Sequence, residues 1–189
     1  MILGSHNSWS YLKPKKLWMK ALAFTAKCQR IDIKEQYKLG VRCFDLRLKG
    51  NNIVHNNFVY GALNDIEENL AWLNVMGDAV IRVVHDVRKK KDYNHRSINA
   101  FMNNCLALES TYTNIKFWCG RNLYNWEVDY DFPYKPGCVE LYSSVCPPNI
   151  IDDWIPIVYA KMNNHEIRKN YTIDGKDNNI LLIDFVDIK

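Results

Sequence analysis

The sequence predicts an α/β fold built on a largely parallel sheet. Three observations carry that prediction. Short apolar stretches alternate with helix-forming ones through much of the chain, the pattern of strand–helix units. Ala79-Val80-Ile81-Arg82-Val83-Val84-His85 is a β-branched run of the kind that fills a sheet buried on both faces. Polar residues gather where predicted strands end: His6, Asp45 with Arg47, His55, His85 and Asp184. In a closed parallel barrel those ends share one face, and that face carries the chemistry. At 189 residues the chain is short for eight complete strand–helix units, so the expected architecture is a compact, distorted or incomplete TIM (β/α) barrel. One domain spanning residues 1–189 is the default at this length.

Ile2–His6 reads as a first strand running into a polar loop. Trp9–Leu17 is an aromatic and basic loop around Pro14, and Leu17–Ala26 is apolar with helix formers. Asp32–Gly40 predicts a short helix, capped by Asp32 and stopped by Gly40. Val41–Leu48 is a strand, Asn51-Asn52 a turn and Ile53–His55 the next strand. Asp65–Val75 carries Ile66, Leu70 and Leu73 at helical spacing until Gly77-Asp78 breaks it. The Ala79–His85 strand follows, then a lysine run at 89–91 that reads as solvated loop. Ser97–Leu108 is a helix and Asn114–Trp118 a strand. Residues 119–149 are aromatic and Pro-rich with a strand at Val139–Tyr142. Asp152–Arg168 is a helix with Pro156 near its start, where proline is tolerated. Ile180–Val186 closes the chain as a buried strand, and there is no internal repeat.

Composition narrows the function. The formal net charge is +4, spread without a dense basic stripe, which excludes nucleic acid and suits an anionic small molecule or an anionic membrane surface. No apolar run reaches transmembrane length and no charged-then-apolar export signal opens the chain. A cytoplasmic or peripheral-membrane location is therefore expected, with no indication of oligomeric state. The six cysteines form no C-x-x-C pair, so a zinc ribbon or thioredoxin-type site is not expected. Cys28 and Cys43 read as small buried thiols. Cys138 and Cys146 flank a Pro-rich loop, and the lack of an export signal argues against their pairing.

The chemistry concentrates in Gly40–Leu48. Period-two geometry sends Cys43, Asp45 and Arg47 to one face and Phe44, Leu46 and Leu48 to the other. An acid and a guanidinium on an otherwise apolar strand are costly without a use. With His6 and His55 on flanking strand ends, they supply an acid, a base and an anion holder.

Gly4-Ser5-His6-Asn7-Ser8, Asp32-Ile33-Lys34-Glu35-Gln36, Gly40-Val41-Arg42-Cys43-Phe44-Asp45-Leu46-Arg47 and Val54-His55, in that order and spacing, resemble the X domain of phosphatidylinositol-specific phospholipases C. The match is specific up to about residue 60 and looser at Ala79–His85 and at Asp184. The resemblance implies a distorted TIM barrel and cleavage of an inositol phospholipid through a cyclic inositol phosphate, releasing diacylglycerol. It implies that His6 is the general base toward the inositol 2-hydroxyl and His55 the general acid toward the leaving oxygen. Asp184 would orient His6, and Arg47 would hold a non-bridging phosphate oxygen. Calcium-dependent relatives place a carboxylate where Arg47 stands, so the resemblance implies a metal-independent site with no cofactor. Three positions depart from the bacterial pattern. Asn7 stands where an aspartate would pair with the general acid, and Asp45 is the carboxylate placed to take that part. Asn56 stands where glycine is usual. His85 stands where a lysine lines the pocket, so Asn7 and His85 are expected beside the substrate.

Two other functions stand beside this one: a related barrel phosphodiesterase acting on glycerophosphodiesters or lysolipids, and a catalytically impaired phosphoinositide-binding module. Trp9–Trp18, with three lysines among its aromatics, reads equally as a membrane-docking rim or as a loop whose rings pack inward. Trp118, Tyr124, Trp126, Tyr130, Phe132 and Tyr134 are candidates for a ring that stacks on inositol, while His95 and His165 read as surface residues.

Overall fold

The computed structural model describes residues 1–87, 90–119, 132–143 and 155–189. The strands are β1 (Ile2–Ser5), β2 (Cys43–Lys49), β3 (Asn52–His55), β4 (Phe58–Ala62), β5 (Val80–His85), β6 (Lys116–Cys119), β7 (Val139–Tyr142) and β8 (Ile180–Ile183). The helices are α1 (Leu17–Leu22), α2 (Ile33–Lys38), α3 (Glu67–Met76), α4 (His95–Thr111) and α5 (Pro156–Asn170). Six strands run parallel in the order β7-β8-β1-β2-β5-β6. Among the described residues β6 and β7 do not pair. The curled, mostly parallel sheet is a half-barrel, as the sequence predicts.

The elements follow local chemistry closely. Asp32 caps α2 by accepting from the Glu35 N–H at 2.8 Å. Gly77 ends α3 with φ 76, a left-handed position that costs glycine little. Pro156 opens α5, where its missing N–H is not needed. The predicted α5 start at Asp152 lies outside the described residues, as do Tyr124, Trp126, Tyr130 and Cys146. Cys138 is a free, exposed thiol. α4 begins two residues before its predicted start because Asn94 caps it: the Asn94 side chain accepts from Ser97 N at 3.1 Å.

Sequence reading missed β4. It pairs antiparallel with β3, and the Asn56-Asn57 turn before the aromatic and β-branched Phe58-Val59-Tyr60 was the available signal.

Period-two alternation divides the core in two. Outward residues of the sheet, among them Phe44, Leu46, Leu48, Ile81 and Val83, join the helices in the main cluster. Inward residues Cys43, Val80, Ile180 and Leu182 form a smaller cluster inside the barrel. Gly4 belongs to that inner layer, where β1 is squeezed between β2 and β8. A Cβ at Gly4 would collide with the Leu182 side chain and lie 3.2 Å from the Cys43 Cβ and 3.3 Å from the Cys43 carbonyl oxygen. Gly4→Ala is therefore expected to destabilise the fold by about 1–3 kcal/mol through overpacking, read as a lower midpoint in urea unfolding with an unchanged slope.

Candidate active site

The register of β2 explains how the histidines meet. β5 runs along one edge of β2 from Cys43 to Leu48. The other edge is shared: β1 pairs at Cys43 and Phe44, and β3 pairs at Leu48 and Lys49 from the opposite direction. The two registers leave Asp45, Leu46 and Arg47 between them on that edge. β1 and β3 therefore approach end to end, and His6 and His55 face each other there. Their ring centroids lie 5.4 Å apart, edge to face at 89°.

Each ring is held through Nδ1. The Asp184 Oδ1 accepts from His6 Nδ1 at 2.7 Å. The Ala26 carbonyl accepts from His55 Nδ1 at 2.7 Å. Both bonds leave Nε2 free for the site. His6 Nε2 faces Asp45 Oδ2 at 3.9 Å. Burial first, then Arg47 and His6, push the His55 pKa well below its ordinary value.

Asp45 is fully buried and collects three donors. Arg47 Nε donates to Oδ2 at 2.8 Å, the Asn7 backbone N–H to Oδ2 at 2.9 Å, and Arg82 Nη1 to Oδ1 at 3.0 Å. Burial alone would raise its pKa, but Arg47 and Arg82, with a smaller part from His6, outweigh it and hold the carboxyl below the usual range. Of the part expected for it beside His55, Asp45 keeps a weak upward pull on that ring's pKa, smaller than the downward effects of burial, Arg47 and His6. Its oxygens are occupied by the two guanidiniums, and its neighbouring imidazole is His6.

His6, Asn7, Asp45, Arg47, His55 and Asp184 thus come together at one end of the half-barrel. His85 does not. On β5 it alternates with Arg82 and Val84, and its register partner is Leu48 rather than Arg47. It points outward and stacks on Phe101 of α4 at 4.9 Å and 19°. Burial, with a smaller effect from Lys49, lowers its pKa to about 4. Arg82 occupies the inward place instead, and the β5 alternation, an arginine among valines and isoleucines, was the signal that could have found it.

Three further residues escaped sequence reading. Asp86 is buried, accepts from Asn56 N at 3.1 Å and acts on Arg47. Gln29 donates to the carbonyls of His6 at 3.1 Å and Ile183 at 3.0 Å, tying the ends of β1 and β8 together. Cys28 is buried with its Sγ 3.7 Å from His55 Nδ1. All three owe their place to tertiary contacts that no local pattern encodes. Among the described residues, His6, Cys28 and His55 are the one set of His, Cys, Asp or Glu side chains gathered closely enough to hold a metal ion.

The fold and site define a half-barrel α/β protein with an imidazole pair and two guanidiniums at the mouth. Solved structures with this fold include the phosphatidylinositol-specific phospholipase C from Listeria monocytogenes, with a TM-score of 0.64 and 16% identity over 97% of this chain and 87% of that one. A phosphatidylinositol-specific phospholipase C from S. aureus matches with a TM-score of 0.61 and 16% identity over 97% of this chain and 85% of that one. A double mutant of the S. aureus protein matches at 0.60 and 17% over 97% and 84%. At these identities the likeness is one of fold. No family model and no curated protein matches the sequence.

Asp45 sets a stability test. Asp45→Asn removes the charge that two buried guanidiniums share and is expected to cost about 3–5 kcal/mol at neutral pH, measured by urea unfolding. Because the folded pKa is depressed, the carboxylate's contribution is fully present above its unfolded value of about 3.9 and is lost as pH falls toward the folded value. The acid limb of the stability profile should therefore be shallower in Asp45→Asn than in the parent chain.

Proposed function

We propose that this chain cleaves the phosphodiester of an inositol phospholipid, phosphatidylinositol or its glycosylated form, by intramolecular attack of the inositol 2-hydroxyl. The observation that carries the reading is the pair of imidazoles 5.4 Å apart with an arginine between their strands. The likeness of fold to phosphatidylinositol-specific phospholipases C supports it.

His6, fixed by Asp184, takes the hydroxyl proton on Nε2. The oxygen attacks phosphorus, and Arg47 holds a non-bridging oxygen through its guanidinium donors as charge develops. His55 gives a proton to the departing diacylglycerol oxygen. In the free site His55 is held toward neutral, and an arriving phosphodiester anion supplies the charge that favours its protonated form. Products are a cyclic inositol phosphate and diacylglycerol.

Arg47 and Arg82 already place positive charge where a hard, oxygen-seeking cation would sit. The reaction is therefore expected to run without calcium. Purified protein incubated with phosphatidylinositol should release a cyclic inositol phosphate at the same rate with or without a strong chelator. His6→Ala should lower that rate by about 10²–10⁴-fold. Binding of phosphatidylinositol without turnover would instead favour the binding-module reading, and loss of turnover in chelator would refute metal independence.

The membrane-docking rim divides between its two readings. Trp9 is fully buried against Phe44, and the Tyr11 hydroxyl donates to Asn69. Beyond Pro14 the segment turns outward: Leu17 is 83%, Trp18 52%, Leu22 48% and Phe24 53% exposed. Lys13, Lys15 and Lys16 are exposed just before them. Ala26, which holds His55, follows the stretch directly, so this apolar and basic surface lies beside the site. It suits shallow, peripheral insertion into an anionic bilayer, and no described helix is long and apolar enough to cross one. Changing Lys13, Lys15 and Lys16 to Glu should weaken sedimentation with phosphatidylserine vesicles, most strongly at low salt; unchanged sedimentation would remove the docking role.

A further inference from the structure

We propose that His6, Cys28 and His55 form a binding site for a thiophilic divalent ion of the zinc class, and that occupancy shuts off the chemistry assigned to the two histidines. The effect on turnover rests on the phosphodiesterase reading; metal binding itself does not.

The ligand atoms of the three side chains lie within 4.8 Å of one another. All three residues are buried, at 3%, 1% and 8% exposure. Two imidazoles and a thiol form a donor set that suits zinc, whereas calcium and magnesium take oxygen. The outer partner of His6 fits as well. Metal-ligating histidines use their other nitrogen on a carboxylate or a backbone carbonyl. Here His6 Nδ1 is held by Asp184 at 2.7 Å, which leaves Nε2 to the ion; on His55 the nitrogen that faces the Cys28 Sγ, at 3.7 Å, is Nδ1, and an ion there would replace its bond to the Ala26 carbonyl. His6 Nε2 is buried with no hydrogen-bond partner, an unsatisfied atom that an ion would satisfy.

Binding is balanced in protons and charge. The Cys28 S–H gives its proton to solvent and the thiolate becomes a ligand, while both neutral imidazoles donate lone pairs. Asp45 and Asp184 are charge partners to Arg47 and His6 respectively, so the site is not uniformly cationic despite its guanidiniums. The carboxylate oxygens a hard cation would need are engaged by Arg47, Arg82 and His6, which makes inhibition by zinc compatible with indifference to calcium. An ion so held would occupy the lone pair with which His6 is proposed to take the hydroxyl proton.

Cobalt(II) titration of the purified, reduced chain tests the site without reference to any substrate. One equivalent should produce a thiolate-to-cobalt charge-transfer band with tetrahedral d–d absorption, and zinc should displace it. Cys28→Ser should abolish the band and weaken binding at least tenfold, while Cys138→Ser, at the exposed thiol, should leave the band intact. Circular dichroism on each variant separates loss of ligand from loss of fold. His6→Gln gives a second variant that keeps the thiol, and it should also weaken binding at least tenfold. A band that is absent in the parent chain, survives Cys28→Ser in folded protein or disappears in Cys138→Ser would overturn the proposal. If the chain turns over phosphatidylinositol, zinc should inhibit and a chelator should restore the rate; inhibition equal in Cys28→Ser and the parent would also overturn it. If the chain shows no turnover, the cobalt spectra still decide the metal site.

Discussion

A single buried carboxylate organises this molecule. Asp45 reaches two guanidiniums, one from its own strand and one from β5, and the backbone N–H that follows His6. Isolated, each guanidinium would be intolerable inside a half-barrel lined below by Cys43, Val80, Ile180 and Leu182. Gathered on one ionised acid, they give the mouth a rigid cationic wall. The same acid fixes the turn after β1, and hence the direction in which His6 enters the site. Position, charge and ring orientation therefore share one anchor.

Around that anchor the backbone makes the same move three times. Asn7, Asn56 and Phe185 are the non-glycine residues with positive φ among those described, at 45°, 58° and 45°. Each directly follows a site residue: His6, His55 and Asp184. A left-handed residue turns the chain sharply away from a strand end, leaving the preceding side chain projecting into the mouth. Asparagine tolerates that region better than most residues, whereas phenylalanine does not. The Phe185 N–H is held by the Cys28 carbonyl at 2.6 Å, one of several bonds by which the 26–29 segment clamps the strand ends. Asn56 fits the same account. Its backbone conformation is the one a glycine would adopt, so it departs from the expected glycine in side chain while keeping its geometry.

The sheet, and the placing of Asp45 and Arg47 on one face of it, were legible because they rest on period two. Alternation along Val41–Leu48 separates Asp45 and Arg47 from Phe44 and Leu46, and the structure keeps that separation. Applied to β5, the same rule selects Arg82 and sends His85 outward onto Phe101; His85 entered by correspondence with a family pattern, and parity is the stronger constraint. The roles of Cys28 and Gln29 could not be read this way. They lie on an irregular segment whose position is set by Ser10 Oγ, which accepts from both their N–H groups at 3.0 and 2.9 Å. β4 was missed although the Asn56-Asn57 turn and the Phe58-Val59-Tyr60 run after it mark a hairpin with β3. The closing strand was drawn three residues too long because Ile180–Val186 is apolar on both sides of Asp184, and hydropathy does not register a turn made by a positive φ.

These points bear on how Asn7 changes the site. With no acid at that position, His55 donates its Nδ1 hydrogen bond to a neutral carbonyl and sits beside a thiol. Among the described residues, the carboxylates in ion-pair reach of the imidazoles, Asp184 and Asp45, face His6, and Asp45 acts only weakly on His55. The two rings are therefore electrostatically unequal before any ligand arrives. On the proposed reading, a phosphodiester would correct that imbalance from outside, with its own charge between Arg47 and His55. A thiophilic cation exploits it, since a neutral imidazole and a thiol are ligands where an imidazolium–carboxylate pair is not. On the proposed reading, the asparagine makes the His55 side of the site depend on its occupant, and the chemical character of that occupant would decide whether the pair moves protons or binds a metal.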